Sequence, residues 1–327
     1  MNTTETNLLN VLSLFNGMGC IWLALDRLGV PVGRRYSSEI NTSAIKVNDD
    51  NYPDTTQLGD VTKVNASELE RIDLLVAGSP CQGFSQAGGR LNFNDPRSKL
   101  FFEFVRLLDE SKPKYFMLEN VSMKKEHQDV ISKYLGCEPI KLNSNLLTAQ
   151  SRSRLYWTNL PVQERILDKG IVVADILESG PTPINLLASP ARVFHPVTPG
   201  RRSPTGLKLL GGLVGPNETM RTHTQPVGSG NFRTQQRLYC VSGKAACLTL
   251  TERTLYATNT GNRKLTRVEL ERLQGVPDNY TRSVSRSVAM KMLGNGWTVP
   301  IVAHVLSGLS ELHCDPNFWM RFINEPL

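Results

Sequence analysis

Between residues 10 and 121, short apolar runs alternate with stretches of helical spacing, and the runs close on glycines or chemically active side chains. "NVLSLF" (10–15) reads as a buried strand and leads into "NGMG". In the following "CIWLALDRLG", Ile21, Leu25 and Leu28 recur at helical spacing and Gly29 marks a stop. "RRYSSEI" reads as a second strand ending at Glu39, "TTQLGDV" as a third ending near Asp60, "RIDLLVAG" as a fourth before Cys81, and "KYFMLENV" as a fifth holding Glu119. A helix over "SKLFFEFVRLLDES" separates the last two, with Leu100, Phe104, Leu107 and Leu108 on one face. This alternation predicts an α/β protein built on a doubly wound, Rossmann-like parallel sheet. Ligands of such sheets sit at the carboxyl ends of the strands. Those ends here carry Gly17 and Gly19, Glu39, Asp60, Cys81 and Glu119.

The pattern changes near residue 160, after a strand over "SRLYWTNL". Residues 181–262 are rich in Pro, Gly, Thr and Asn and predict a smaller, loop- or β-rich domain. Regular structure resumes at "TRVELERLQGVP", with Thr266 as N-cap, and "TVPIVAHVLSGLSEL" reads as one helix. The expected division is 1–160 plus 263–327 for the sheet domain and 161–262 for the smaller one.

Charge is concentrated between Pro181 and Asn262. There Arg192, Arg201, Arg202, Lys208, Arg221, Arg233, Arg237, Lys244 and Arg253 face only Glu218 and Glu252, which accounts for the whole formal charge of +7. A localised basic segment points to a polyanion such as nucleic acid. No apolar run reaches the ~18 residues of a membrane span. "MNTTETNLLN" lacks the basic start and apolar stretch of a signal peptide, so an intracellular location is expected. Cys20, Cys81, Cys137, Cys240, Cys247 and Cys314 form no C-x-x-C pair, which argues against a zinc site and a disulfide scaffold. No metal is expected.

The glycine turn "FNGMG" lets a ligand approach the backbone closely. Glu39 follows Gly17 by 22 positions, a spacing that suits a carboxylate on ribose hydroxyls. The full G-x-G-x-x-G is absent, which argues against NAD or FAD, and no P-loop motif occurs. A nucleoside cofactor without a pyrophosphate fits, S-adenosylmethionine first among them. Asp60 then suits the adenine amino group.

Cys81 has the placement of a nucleophile, a strand end below and a glycine- and serine-rich loop after it. Glu119 ends the neighbouring strand, where a carboxyl group can engage a ring nitrogen. Cytosine C5 is a poor nucleophile until a thiolate adds at C6 and an acid engages N3. Cys81 and Glu119 beside a methyl donor supply those parts. "AQSRSRLYWTNL" sets Arg152 and Arg154 two residues apart, so that both face one side of a strand, where they suit a base carbonyl and flanking phosphates.

Together these motifs resemble the C5-cytosine DNA methyltransferases over most of residues 10–160 and 263–327, in family order. "LSLFNGMGC" resembles the cofactor-binding opening motif, "GSPCQGFSQAG" the catalytic Pro-Cys loop, "LENV" the Glu-Asn-Val motif and "QSRSR" the Gln-x-Arg-x-Arg motif. "RKLTRVELERLQGVPDNYT" and "LGNGWTVPIVAHVL" are similar to the last two motifs. The resemblance implies Cys81 as nucleophile, Glu119 at N3 and the amino group, Arg154 at the base O2 and Arg152 as support. It implies S-adenosylmethionine contacts from Phe15, Asn16, Gly17, Met18, Gly19, Glu39, Ile40, Asp60, Val61, Pro80, Leu100, Asn295 and Trp297. It implies too that the loop Gln82 to Arg97 closes on a flipped base, with Gln82, Ser85 and Arg97 at the DNA. Residues 161–262 take the target-recognition position, with Arg201, Arg202, Arg221, Arg233 and Arg237 as candidate DNA contacts.

Two departures stand out: "GNGW" replaces the usual Gly-Asn-Ser-like triplet, and Ile40 replaces a frequent aromatic. "LFFEFVRLL", "RLYWTNLP" and "GNGWTVP" are closer to the animal de novo branch, which favours CpG as the site. "PCQGFSQAG" and "QRLYCVSGKAACLTLTERT" are closer to bacterial and phage enzymes. The expected protein is a compact, monomeric prokaryotic or phage DNA (cytosine-5)-methyltransferase of the bacterial cytosol or an infected cell, acting on duplex DNA, with restriction-modification, host evasion and gene regulation all open as its setting. The rival readings are an RNA (tRNA) cytosine methyltransferase, a catalytically silent DNA-binding homologue, and an enzyme with an altered methyl donor.

Overall fold

A computed structural model describes residues 8–78, 96–163, 165–181, 183–196, 206–214, 236–250 and 254–313. Side chains are described throughout these ranges except at 96–99 and 311–313. The chain divides into two compact units: Met1–Leu142, Ser153–Arg165 and Val299–Leu327 form the first, and Asn143–Arg152 and Ile166–Thr298 the second.

The first unit is organised by strands β1 (Leu9–Leu14), β2 (Val32–Ser38), β3 (Thr55–Gln57), β4 (Leu74–Gly78), β5 (Tyr115–Val121), β6 (Ile140–Asn143) and β7 (Ser153–Thr158). They lie in the order β3-β2-β1-β4-β5-β7-β6. The pairs β1–β2, β1–β4, β2–β3 and β4–β5 are parallel, while β7 runs antiparallel to β5. The connections are helices α1 (Cys20–Arg27), α2 (Thr42–Asn51), α3 (Pro96–Ser111) and α4 (Lys125–Leu135). The strand order reverses between β1 and β4, which is the switch point where such sheets bind ligands.

Side-chain alternation gives the sheet two faces. Leu12, Leu14, Tyr36, Leu75, Ala77, Phe116, Leu118, Leu155 and Trp157 form one buried cluster with Phe101, Phe104 and Leu107 of α3 and Ile131 and Leu135 of α4. The intervening positions Ser13, Ser37, Val76, Met117 and Glu119 belong to the opposite face. The predicted strands and α3 are present at their expected places. β3 is shorter than its sequence suggests, because Asp60 leaves the strand to cap the turn Val61–Lys63. The expected C-terminal helix is two, α7 (Val299–Val305) and α8 (Gly308–His313). A Cβ at Gly308 would lie 2.9 Å from the Pro161 carbonyl oxygen, so α8 starts where the chain passes close to that backbone and only glycine fits.

The second unit holds a five-stranded sheet of β8 (Val193–Pro196), β9 (Leu209–Val214), β10 (Arg237–Cys240), β11 (Leu255–Thr258) and β12 (Gly261–Arg263), ordered β12-β11-β10-β9-β8. Its apolar cluster is small, with Leu213, Leu238 and Leu255 at the centre. Helices α5 (Arg267–Gln274) and α6 (Arg286–Asn295) belong to this unit, whereas the sequence reading grouped 263–298 with the sheet domain. Thr266 caps α5 as expected, in a capping box with Glu269.

Candidate functional site

The end of β1 turns through three residues with positive φ: Phe15 (54°), Gly17 (58°) and Gly19 (83°). Among the described residues, a Cβ at Gly17 would meet nothing within 4 Å, so this backbone borders open space there. A Cβ at Gly19 would lie 2.6 Å from Asn48 Oδ1 and 2.9 Å from Trp22 Cδ1. Gly19 therefore serves packing, and Gly17 serves access. Asn48 Oδ1 accepts from Asn16 Nδ2 at 3.0 Å and from Trp22 Nε1 at 2.9 Å, which ties the turn to α1 and α2. The two glycines give separable outcomes. Gly19→Ala loses at least about 1–3 kcal/mol in thermal unfolding from backbone strain, plus the clash. Gly17→Ala costs less stability, and its methyl intrudes on the open side, so cofactor affinity falls more than for Gly19→Ala.

Glu39, one residue past β2, binds backbone on both oxygens. Oε2 accepts from Gly17 N at 2.8 Å, and Oε1 from Ile40 N at 2.9 Å and Asn41 N at 2.8 Å. A carboxylate offers about four acceptor sites, so one remains for a hydroxyl. Ile40 beside it is 75% exposed, a bare apolar surface at the strand end. Asp60 Oδ1 accepts from Thr62 N at 3.0 Å and Thr62 Oγ1 at 2.9 Å. These bonds, the backbone one foremost, hold its carboxyl below the usual range.

The remaining cofactor candidates divide by burial. Met18 and Val61 are buried, and Phe15 and Leu100 pack partly buried against the main cluster. Asn16 is 8% exposed, and its Oδ1 has no donor among the described residues. The open side at Gly17, the bare Ile40 and the undonated Asn16 Oδ1 fit a nucleoside carrying an amino group, as S-adenosylmethionine does. Asn295 is exposed at the end of α6 and Trp297 is half-buried, both in the second unit.

Glu119 and Arg154 meet on one face of β5 and β7. Glu119 pairs in register with Tyr156, and Val121 with Arg154. Arg154 Nε lies 3.0 Å from Glu119 Oε1, with the two side chains 16% and 11% exposed. Arg154 Nη1 also donates to the Ser153 carbonyl at 2.8 Å. On its other side Glu119 is in register with Gly78, the last residue of β4, and Cys81 follows Gly78 by three positions.

Arg152 departs from the expectation that it shares a strand face with Arg154. It precedes β7 and is 5% exposed. Its Nη1 donates to the Leu248 carbonyl at 3.2 Å and contacts Cys247 Sγ at 3.4 Å. Its Nη2 donates to the Gly294 and Gly296 carbonyls, both at 3.0 Å. With its donors spent on backbone carbonyls, it supports structure rather than holding a phosphate. Lys244 is likewise no surface cation. Its Nζ donates to the Thr148 carbonyl at 3.2 Å and the Ile171 carbonyl at 2.5 Å, and burial pushes its pKa down. Arg237 is half-buried on β10.

Cys81, Pro80, Gln82, Ser85, Arg201, Arg202, Arg221 and Arg233 lie outside the described residues, as does the side chain of Arg97. Gln150, Gln274 and Asn48, all fully buried and bonded, are polar anchors that the sequence reading assigned no role. Gln150 lies inside the quoted "QSRSR", which was its only signal.

A family model described as C-5 cytosine-specific DNA methylase matches residues 9–136 and 212–311. The chain is 31% identical over 312 residues to the type II methyltransferase M1.ScrFI of Lactococcus lactis subsp. cremoris, covering 92% of this chain and 78% of that one. It is 29% identical over 298 residues to the type II methyltransferase M.NlaX of Neisseria lactamica, covering 89% and 93%. The structure of a putative DNA modification methyltransferase encoded within an E. coli prophage superposes with a TM-score of 0.66 at 21% identity, covering 93% of this chain and 99% of that one. The reading of the motifs as those of a DNA cytosine methyltransferase is borne out, and the chain belongs to the C-5 cytosine-specific DNA methylases.

Proposed function

We propose that this DNA methyltransferase rotates a cytosine out of duplex DNA and methylates its C5, using Cys81 as nucleophile and Glu119 with Arg154 as the base-holding pair. The observation that supports this most is the Glu119–Arg154 ion pair at 3.0 Å, on the strand directly beside Gly78. Flipping is required because C5 and C6 are out of reach in a stacked duplex. The Cys81 thiolate adds to C6, and the Glu119 carboxyl group engages N3, so electron density moves to C5. Arg154 holds Glu119 Oε1 with Nε, which leaves Oε2 to carry the proton shared with N3 and Nη2 for the base O2. S-adenosylmethionine, when bound, supplies an electrophilic methyl group to that carbon. Loss of the C5 proton to a base then expels the Cys81 sulfur from C6 as thiolate, and the N3 proton returns to Glu119, which restores the aromatic ring.

The cofactor residues in this reading are the turn Phe15–Gly19, Glu39, Ile40, Asp60, Val61, Pro80 and Leu100, with Asn295 and Trp297. Asn16 and Met18 contribute through the turn's backbone and the Asn16 carbonyl oxygen. Residues 161–262 select the target, with affinity from Arg201, Arg202, Arg221, Arg233 and Arg237 at phosphates and specificity from contacts to base edges. Its type II relatives favour restriction-modification as the setting.

Glu119→Gln tests the assignment. The amide keeps size and hydrogen bonding but no longer delivers a proton to N3. Single-turnover methylation falls about 10²–10⁴-fold, with DNA affinity changed little. Turnover at the wild-type rate in Glu119→Gln removes Glu119 from the chemistry.

A further inference from the structure

Helix α6 ends in "LGNG", and the carbonyls of its last turn need partners from elsewhere. The Met292 carbonyl accepts from Gly296 N at 2.7 Å. The Leu293 carbonyl accepts from Gln274 Nε2, and the Gly294 carbonyl from Arg152 Nη2 at 3.0 Å. The Gly296 carbonyl, just past the helix, accepts from both, at 3.3 Å from Gln274 and 3.0 Å from Arg152. A guanidinium at this end also complements the helix dipole.

The two side chains are themselves fixed. Gln274 Oε1 accepts from Gln150 Nε2 at 3.1 Å and Thr298 Oγ1 at 2.8 Å. Gln150 Oε1 accepts from Leu248 N at 2.8 Å, while its Nε2 also donates to the Leu273 carbonyl at 3.2 Å. Backbone carbonyls only accept and backbone N–H groups only donate, so both amides have one workable orientation. Gln150 and Gln274 are 0% exposed. The side chains of the network are buried, its amide orientations are fixed by these partners, and it converges on Gly296, the half-buried residue between Asn295 and Trp297.

We propose that Gln274, together with Arg152, caps α6 from outside the helix, and that Gln274 is the positioning residue that sets the Asn295–Trp297 segment for the cofactor. This rests on the reading of Asn295 and Trp297 as cofactor residues. Gln274 touches neither cofactor nor base. It fixes the Gly296 carbonyl and so the direction in which the flanking side chains leave the helix. Its amide nitrogen holds the Gly296 carbonyl while its amide oxygen accepts from Gln150, two residues before Arg152, so the "QSRSR" segment and the cofactor segment share one anchor.

The test uses the full chain and three variants, Gln274→Glu, Thr298→Val and Trp297→Ala. S-adenosylhomocysteine affinity is measured by calorimetry, and KM for S-adenosylmethionine and kcat by methyl incorporation. Gln274→Glu keeps the acceptor for Gln150 and Thr298 but loses the donor to the α6 carbonyls. Its cofactor Kd and KM rise about tenfold, with kcat at saturating cofactor within about threefold of wild type. A purely structural role lowers the melting temperature and leaves the KM-to-kcat balance unchanged. A folded Gln274→Glu with unchanged cofactor affinity overturns the proposal. If Gln274→Glu does not fold, Thr298→Val decides. That variant removes the hydroxyl that steadies the Gln274 amide, raising KM about two- to fivefold, and an unchanged KM overturns the proposal. Trp297→Ala separates the two layers. Unchanged affinity there sinks the cofactor reading of the segment, whereas a loss there with none in Gln274→Glu sinks the positioning role alone.

Discussion

Cys81→Ala loses methylation by at least about 10⁴-fold, the scale on which removal of a covalent nucleophile is felt. Without the sulfur no bond forms at C6, and C5 keeps the low electron density of an aromatic carbon. The Glu119–Arg154 pair and the Gly17–Glu39 bond are made by other groups, so cofactor affinity is retained. DNA affinity is retained within about threefold, because it comes mainly from phosphate contacts. Methyl incorporation from labelled cofactor, alongside gel-shift binding, checks both halves. Turnover that persists in Cys81→Ala contradicts the covalent route.

Glu269→Gln destabilises the second unit by about 3–5 kcal/mol. Glu269 and Arg263 form a buried bidentate pair, with both N–O distances 2.7 Å and side-chain exposures of 0% and 4%. Glu269 also accepts from Thr266 N at 2.7 Å and Glu178 N at 3.0 Å, so it joins β12, the start of α5 and the segment before β8. Glutamine retains an acceptor for the capping box but leaves the Arg263 guanidinium buried without a countercharge. Replacing both residues with methionine costs less than Glu269→Gln alone, since no charge is then stranded. Urea unfolding of the three proteins checks the order. The pH dependence follows from the same pair. Burial pushes the Glu269 carboxyl up, but Arg263 and the two backbone N–H groups outweigh it and hold it below its ordinary value of 4.5. The folded form therefore binds this proton less readily than the unfolded chain. The stabilisation is present above the unfolded value and is lost as pH falls through the lower folded one. In Glu269→Gln that part of the acid-side loss is absent.

The centre of the parallel sheet was legible because β1, β4 and β5 are buried on both faces and read as apolar runs with abrupt ends. "LLVAG" and "YFMLENV" need no partner to be recognised. The short strand β6, helix α4 and helix α6 were missed. The first has four residues, and α6 carries "GN" and two basic residues, so its helical pattern is diluted. In the candidate site, Glu119 and Arg154 followed from strand ends and spacing. Arg152 did not, because counting by twos presumes that the strand has begun, and β7 begins one residue later at Ser153. Lys244 was read as surface charge because composition counts ammonium groups without regard to burial. Gln150 and Gln274 left little trace, since neutral amides change neither charge nor periodicity. Their role emerges only when the carbonyls at the end of α6 are matched with donors.

The central claim is that this chain methylates cytosine C5 in DNA through Cys81. The most direct measurement expresses the wild type and Cys81→Ala in a methylation-free bacterial host and sequences the host DNA by a bisulfite-type method. The predicted result is protected cytosines in one short sequence context with the wild type and none with Cys81→Ala. Equal protection in both, or no protection with a folded wild type that binds S-adenosylmethionine, contradicts the account.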